Sequence, residues 1–545
     1  MTSAARMMNR TCDRETRLST TAAAGAQSVR NQRVREKTVQ KKAGLTFWMQ
    51  RVLEECNRAS LEFAPDPVHD LRVALRRCRS MADGLMSIDS DPAWKKMKKA
   101  GKQLFSLLGE LRDAQVMEEW VTRLGKPDDP VTTTLLQLVA GRQTQLKQEA
   151  AQALGQGDRK RWERWSKLLP RRAARLRPGS AVFKLLALER WVEAHELHRR
   201  ALRDRSQIGF HRLRIGLKRF RYILENFLPQ QYAVWSDDLK QLQDLLGEVH
   251  DLDVLWTTAL QVNAFPDEEA RSHWHAKINE ERTCRIEKYR GKMLGKASLW
   301  RVWRAELPHR EEIESAALSR LKRWASFLDP DFKHSNHVAR LALQLYDGLA
   351  VKGGASDSAA RNRRILQVAA LLHDVGRARD EKGHHKTSYN LIRGLRPPLG
   401  WSERDLRLAG IVARYHRGAL PRTGQKALRG LNVSQRQNVL RLAGILRLAN
   451  AFDAPRDGRV QRLNVRDRDG FLVIGAQGYS PRDRRAEAIT AARHLLETVY
   501  RRPVMVKPLT VRKANGAPTV RNKARSSETG NQKPETRHQK LEPGS

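Results

Sequence analysis

Residues 69–79 read HDLRVALRRCR, and residues 211–221 read HRLRIGLKRFR. Histidine, leucine, arginine, leucine and three basic positions recur in register. On a helix turning about 100° per residue, His69, Arg72, Arg76 and Arg79 fall within an arc of about 80°, beside Leu71, Leu75, Cys78, Ala82 and Leu85. The second copy sets His211, Arg214, Lys218 and Arg221 over Leu213, Leu217, Phe220, Leu224 and Phe227. A further block follows each copy, LLGELRDAQV at 107–116 and LLGEVHDLDV at 245–254. Two ordered blocks repeating in the same order indicate an internal duplication.

Outward from these blocks, residues from about 44 to 310 are rich in Leu, Ala, Arg, Glu and Trp at helical spacing and almost free of strand signals. The pattern breaks at Pro308 and at Asp329-Pro330. Helices resume to about 455, after which RVQRLNVRDRDGFLVIGA predicts a hairpin turning near Asp469-Gly470. A helix at about 482–500 and the strand RPVMVKPL follow. The expected fold is mainly α: a two-repeat helical bundle at 41–310 (repeats 41–170 and 171–310), a helical domain at 311–455 and a small α+β appendage at 456–508. Polar, basic segments at 1–40 and 509–545 are expected to be disordered.

Over 545 residues, 103 Lys and Arg stand against 60 Asp and Glu, a formal net charge of +43. Such an excess points to an anionic partner: nucleic acid, an anionic membrane surface or inorganic polyphosphate. No apolar run approaches the roughly 20 residues of a membrane span. Cys12, Cys56, Cys78 and Cys284 are far apart with no CxxC pair, which fits a reducing cytoplasm. With aromatic residues at only 6%, base stacking is poorly supported and nucleic acid is expected to bind only non-specifically.

One cationic stripe is commonly a solvated helix face. Two matching stripes are a different matter, because like charges one turn apart repel by a few tenths of a kcal/mol per pair, a cost that a shared anion offsets. A pseudo-twofold bundle would bring both stripes into one groove. Arginine offers bidentate, permanent charge to phosphate oxygens and lysine a compact charge. The candidate binding set is His69, Arg72, Arg76, Arg77, Arg79, Lys95, Lys99 and Lys102 from the first repeat, with His211, Arg214, Lys218, Arg219 and Arg221 from the second. The two histidines read either as phosphate donors when protonated or as helix residues bonded to a carbonyl. Asp113 and Asp251 are expected to orient the basic residues.

These residues resemble the CHAD domain, a helical bundle of two repeats named for its histidines, whose signature stands here as VHDLRVALRRCRS at 68–80. The resemblance covers about 40–310. It implies polyphosphate binding by a basic channel and association with polyphosphate granules. The ExExK pattern of the triphosphate-tunnel domain that often accompanies CHAD does not occur in this chain.

The second half holds His334 and His337, His373-Asp374, His384-His385 and His416. A carboxylate at the end of an apolar helix loses several kcal/mol of hydration unless it is paired or ligated. Imidazoles with a carboxylate suit Mn, Mg, Fe or Zn, and such a divalent metal lowers the pKa of a bound water, which leads to phosphoester or phosphoanhydride hydrolysis. The spacing resembles the HD superfamily of phosphohydrolases, nearest to the C-terminal region of exopolyphosphatases and guanosine pentaphosphatases, over about 320–507. That resemblance implies His334 as the first metal ligand, His373 and Asp374 as the namesake catalytic pair, and His384 or His385 with His416 as the further histidines of two-metal members. The last ligand aspartate of the superfamily is replaced by Asn450, for which Asp453 is the candidate substitute. Arg377, Arg379, Lys386, Arg414 and Arg417 flank the histidines and could hold phosphate without a metal. The substrate expected is polyphosphate, a nucleotide or another phosphorylated small molecule. The alternative is a non-catalytic granule scaffold.

Overall fold

The computed structural model describes residues 44–61, 63–349, 357–422 and 424–509. The expected disordered leader, and the tail apart from Leu509, lie outside the described residues. Within them the chain is mainly helical, with one small sheet near its C-terminal end.

Among the described residues, six helices cover the stretch expected to be the first repeat, the last of them running three residues past 170: α1 (Leu45–Leu61), α2 (Pro65–Leu85), α3 (Pro92–Ala100), α4 (Lys102–Leu124), α5 (Pro130–Gly155) and α6 (Arg159–Ala173). Five cover the stretch expected to be the second: α7 (Ala181–Asp204), α8 (Gln207–Phe227), α9 (Pro229–Gln261), α10 (Glu268–Met293) and α11 (Leu299–Ala305). Starts are fixed locally. Proline opens α2, α3, α5 and α9, and the Asp91, Asp129, Asp158, Ser206 and Asp267 side chains accept a first-turn N–H.

The apolar arcs of the two signature helices share one core. Leu71, Leu75 and Cys78 of α2 and Leu213, Leu217 and Phe220 of α8 are all buried in it. Cross-links join the pair: Arg77 meets Glu225 at 2.5 Å, and the Asn226 amide donates to Ser80 Oγ at 3.0 Å. At Gly84 a Cβ would stand 2.4 Å from the Phe227 ring, which is itself stacked on Phe183 at 4.2 Å. The two repeats approach that closely only because this position has no side chain.

The second core begins with α12 (Arg310–Leu328), α13 (Phe332–Leu349), α14 (Asp357–Leu372), α15 (His384–Arg393), α16 (Glu403–Arg414) and α17 (Val433–Phe452). Strands β1 (Arg462–Arg468) and β2 (Phe471–Gln477) pair antiparallel, and β3 (Val504–Pro508) joins β2 in parallel after α18 (Arg485–Tyr500). The hairpin turns at Asp469 and Gly470, with φ of 52° and 78°, the left-handed pair that matches strand twist. Leu341, Ile445, Ile474 and Leu496 belong to one buried cluster, so sheet and helices share a core rather than forming separate ones.

Helix α12 joins the halves. Ala316 and Ala317 pack on Leu185 of α7, while Arg320 donates to Glu189 at 2.7 Å and to the Ser87 carbonyl. Glu189 also accepts the Leu399 N–H at 2.9 Å. Among the described residues no helix is long and apolar enough to cross a membrane.

Candidate polyanion groove and metal centre

The packing of α2 on α8 decides which stripe residues meet. Arg72 from the first repeat and Arg214 and Lys218 from the second lie close enough to feel one another's charge, together with Asp113 and Asp251. His250 joins them; its ring stacks on His211 at 4.8 Å, and it lies 3.4 Å from Asp251. Among the described residues, Arg72, Arg76, Arg214 and Lys218 form no salt bridge, and the Nε atoms of Arg72 and Arg214 are buried without a hydrogen-bond partner.

The electrostatics follow from this crowding. Burial, then Arg214 and Arg72, pushes the Lys218 ammonium down to about 8. Burial and the neighbouring Asp251 raise the Asp113 carboxyl despite Arg72 and Arg214. Burial also lowers His211, helped by His250, Arg214 and Lys218. Two acidic groups among these cations leave a positive excess whose donors lack acceptors.

The other candidate binding residues are placed differently. Arg77 and Arg221 both reach Glu225, and Arg219 bonds Glu193 at 2.9 Å. Arg79 donates to the Lys98 carbonyl and lies over the Phe105 ring, tying α2 to α3 and α4. His69 is exposed, as are Lys95, Lys99 and Lys102. His250 was missed because it replaces Arg112 when the second blocks are aligned, so the duplication did not mark it.

In the second core, Asp374 is the hub. Its Oδ1 lies 3.4 Å from His373 Nε2, 3.2 Å from His384 Nε2 and 3.7 Å from His416 Nε2. All four groups are buried. Each of these histidines places Nδ1 at 2.7 Å from a carbonyl three residues back, Ala370, Glu381 and Ala413 respectively. Nδ1 therefore carries a proton in each, and in the neutral form Nε2 is the atom left to bind a cation.

These Nε2 atoms face one another and a carboxylate. His384 Nε2 and His416 Nε2 are 3.2 Å apart, and His373 Nε2 is buried without a hydrogen-bond partner. Burial pushes His373 and His416 down, toward the neutral form. Burial opposes the charge of the Asp374 carboxyl, yet it sits far below its usual range, because positive charge on His373 and His416 and hydrogen bonds from His384 and Arg456 favour the ionised form. Such a donor set calls for a cation. Two groups could hold one: His334 with His373 and Asp374, and Asp374 with His384 and His416, the ligand atoms of each lying within 4.8 Å of one another.

Gly376 permits the arrangement. A Cβ there would stand 2.5 Å from Ser388 N and 2.7 Å from the His384 carbonyl, so α15 reaches the His373-Asp374 turn only over a bare backbone.

The remaining predicted ligands stand further out. Asp453 Oδ2 is 2.7 Å from His334 Nδ1 and its Oδ1 accepts the Gly458 N–H, the position of a carboxylate that orients a ligating imidazole. His334 Nε2 lies 3.0 Å from the Asn450 amide. His385 lies outside both groups, packed against Gly418, and His337 pairs with Arg340. Sequence reasoning missed Arg456, whose guanidinium donates to Asp374 Oδ2 at 2.5 Å and to Asp331 Oδ2 at 3.0 Å. No spacing rule singles out this residue, which holds a left-handed φ of 60°.

These two cores are similar to two families: residues 49–260 match the CHAD domain, and residues 318–470 match the Ppx/GppA phosphatase, domain III. Among solved structures, the chain is similar to the CHAD domain from the plant Ricinus communis, at 24% identity over 49% of this chain and 93% of that one, with a TM-score of 0.34. No curated protein matches the chain.

Proposed function

We propose that the chain binds linear polyphosphate in the groove between α2 and α8, and that its second core is an HD-type, metal-dependent phosphohydrolase acting on polyphosphate or a nucleotide. The observation that carries the first half is the convergence of Arg72, Arg214 and Lys218 from separate repeats, with no salt bridge among the described residues to satisfy them. A chain of phosphates supplies acceptors without requiring bases to be stacked. A cytoplasmic protein associated with polyphosphate granules fits this reading.

Binding should depend on pH through Lys218. With its proton held only up to about pH 8, the anion-free protein loses this charge as pH rises, whereas a bound anion raises the pKa. Affinity is thus full below about 8 and falls above it, with proton uptake on binding. Titrating polyphosphate at a series of pH values should show that fall, and Lys218→Arg should abolish it because guanidinium stays charged.

For the second half, His334, His373, Asp374, His384 and His416 would hold the metal, Mn, Mg, Fe or Zn. When bound, a divalent ion supplies Lewis acidity toward a phosphoryl oxygen. The protein's own part is to fix each imidazole through its carbonyl, to keep Asp374 ionised, and to offer the Arg456 guanidinium to phosphate oxygens. Reconstitution with each metal, followed by assay of phosphate release from polyphosphate, pyrophosphate and nucleotides, tests this; metal uptake without release would leave a binding module.

Arg456 itself favours a second reading, a non-catalytic scaffold. Its guanidinium already neutralises Asp374, and Asn450 replaces a carboxylate that would have strengthened metal binding. If this internal cation competes with the metal, Arg456→Met should raise metal affinity by about tenfold or more, the loss of one charge-assisted hydrogen bond to Asp374. Calorimetry with Mn or Zn reads the effect; unchanged affinity would mean that Arg456 and metal do not compete.

A further inference from the structure

A cavity of about 820 Å³ lies between α15, α16 and the short turn at Lys426–Leu428. Helix α15 lines it with Lys386, Tyr389 and Arg393, positions at i, i+3 and i+7 on one face. Helix α16 contributes Arg407 and Arg414, two turns apart, and the turn adds Lys426 and Arg429. Six cations therefore line this concavity, and none of its lining residues is acidic.

Basic composition alone does not produce this. A cavity of similar size, about 860 Å³, lies where the two cores meet, and there Glu189, Glu193 and Glu196 stand among Arg190, Arg320, Arg379 and Arg396, with Arg190 and Arg320 paired to Glu193 and Glu189. Around the α15–α16 cavity, by contrast, Lys386, Arg393, Arg407, Arg414, Lys426 and Arg429 form no salt bridge among the described residues.

The walls are held in place by neutral contacts. Arg393 and Arg414 lie over the Tyr389 ring at 5.6 and 5.7 Å. The Tyr415 hydroxyl donates to Gln425 Oε1 at 2.5 Å, and Arg407 donates to the Arg429 carbonyl at 2.6 Å. These bonds fasten the turn to α16 and leave most guanidinium hydrogens directed elsewhere. Confining like charges costs free energy that a bound anion offsets, and a fixed cluster avoids the ordering cost of binding.

We infer that this cavity is a second anion site, separate from the α2–α8 groove, that takes a compact oligophosphate: a short condensed phosphate or the phosphate tail of a nucleotide. Arg414 and Lys386 each stand two residues from a histidine of the metal cluster, His416 and His384, so the same stretches of chain carry both sets of residues. The inference deepens the polyphosphate reading and rests on it for the ligand class.

The test is titration of full-length protein with tripolyphosphate and, separately, with ATP, by calorimetry. Wild type, freed of divalent metal, should bind two equivalents of tripolyphosphate. Arg393→Gln, Arg407→Gln, Arg429→Gln, all at exposed positions, should remove one of them with at least a tenfold loss in affinity, while Arg72→Gln, Arg214→Gln, Lys218→Gln removes the other. ATP binding tighter than tripolyphosphate at the cavity identifies a nucleotide, and equal binding identifies phosphate alone; either supports the site. Unchanged stoichiometry in the cavity variant overturns the inference while leaving the groove standing, whereas loss only in the cavity variant overturns the groove. Protection of Arg393 and Arg407 from phenylglyoxal by tripolyphosphate on the unaltered protein gives a reading that does not depend on variant folding, and absence of protection overturns the site.

Discussion

Replacing Arg72, Arg214 and Lys218 together by glutamine is expected to weaken binding of long-chain polyphosphate about a thousandfold, three charge-assisted contacts at ~1.5 kcal/mol each. The three come from both repeats, so the loss measures convergence rather than one helix's charge. Salt dependence discriminates further. Each phosphate contact removed releases fewer counterions on binding, so the variant's affinity should fall less steeply with salt than wild type's. Removing three charges from elsewhere on the same helices, Arg79, Arg219 and Arg221, should have a much smaller effect. Those side chains are occupied by the Lys98 carbonyl, Glu193 and Gln243, and their loss would appear as lowered stability. Fluorescence titration of the two triple variants, with thermal melting beside it, separates the outcomes.

The second large effect is expected at Asp374. Asp374→Asn should cost more than about a hundredfold in metal affinity, beyond the 10–100-fold typical of residues that only orient ligands. The carboxylate belongs to both candidate groups, His334 with His373 and His384 with His416, so a single substitution weakens either. The amide is isosteric, and its N–H can donate to a facing Nε2 lone pair, so the variant should fold. Metal content after reconstitution, read beside circular dichroism, checks both points. Asp453→Asn, acting through His334, should lose less.

Much of the fold was legible because the signals were local and repeated. The 3.6-residue spacing of Leu71, Leu75 and Cys78, and of Leu213, Leu217 and Phe220, gave helices whose apolar arcs needed a partner, and the duplication suggested that the partner was the other copy. The hairpin at Asp469-Gly470 was readable from turn chemistry, since the two left-handed positions there demand such residues. That β1 and β2 would share a core with α13 and α17 was not readable. It depends on contacts such as Gly348 against Val465, over a hundred residues apart.

The candidate sites divide in the same way. Spacing identified the ionisable residues but not which of them would be spent on internal partners: Arg79 and Arg221 on the predicted stripes, and Arg77 and Arg219 beside them, bond within the protein. Helix periodicity fixes a direction in space only once the neighbouring helix is placed. His250 and Arg456 were invisible for a related reason, each acquiring its role from a residue brought near by folding, His211 in one case and Asp374 in the other.

Competition between long-chain polyphosphate and duplex DNA for the full-length protein tests most directly whether two ridges form one trough. If Arg72, Arg214 and Lys218 act as a shaped site, polyphosphate displaces DNA at a small fraction of its phosphate concentration, and the triple glutamine variant loses that preference. DNA that ties or wins against the wild-type protein, or a preference that survives in the variant, would contradict the account.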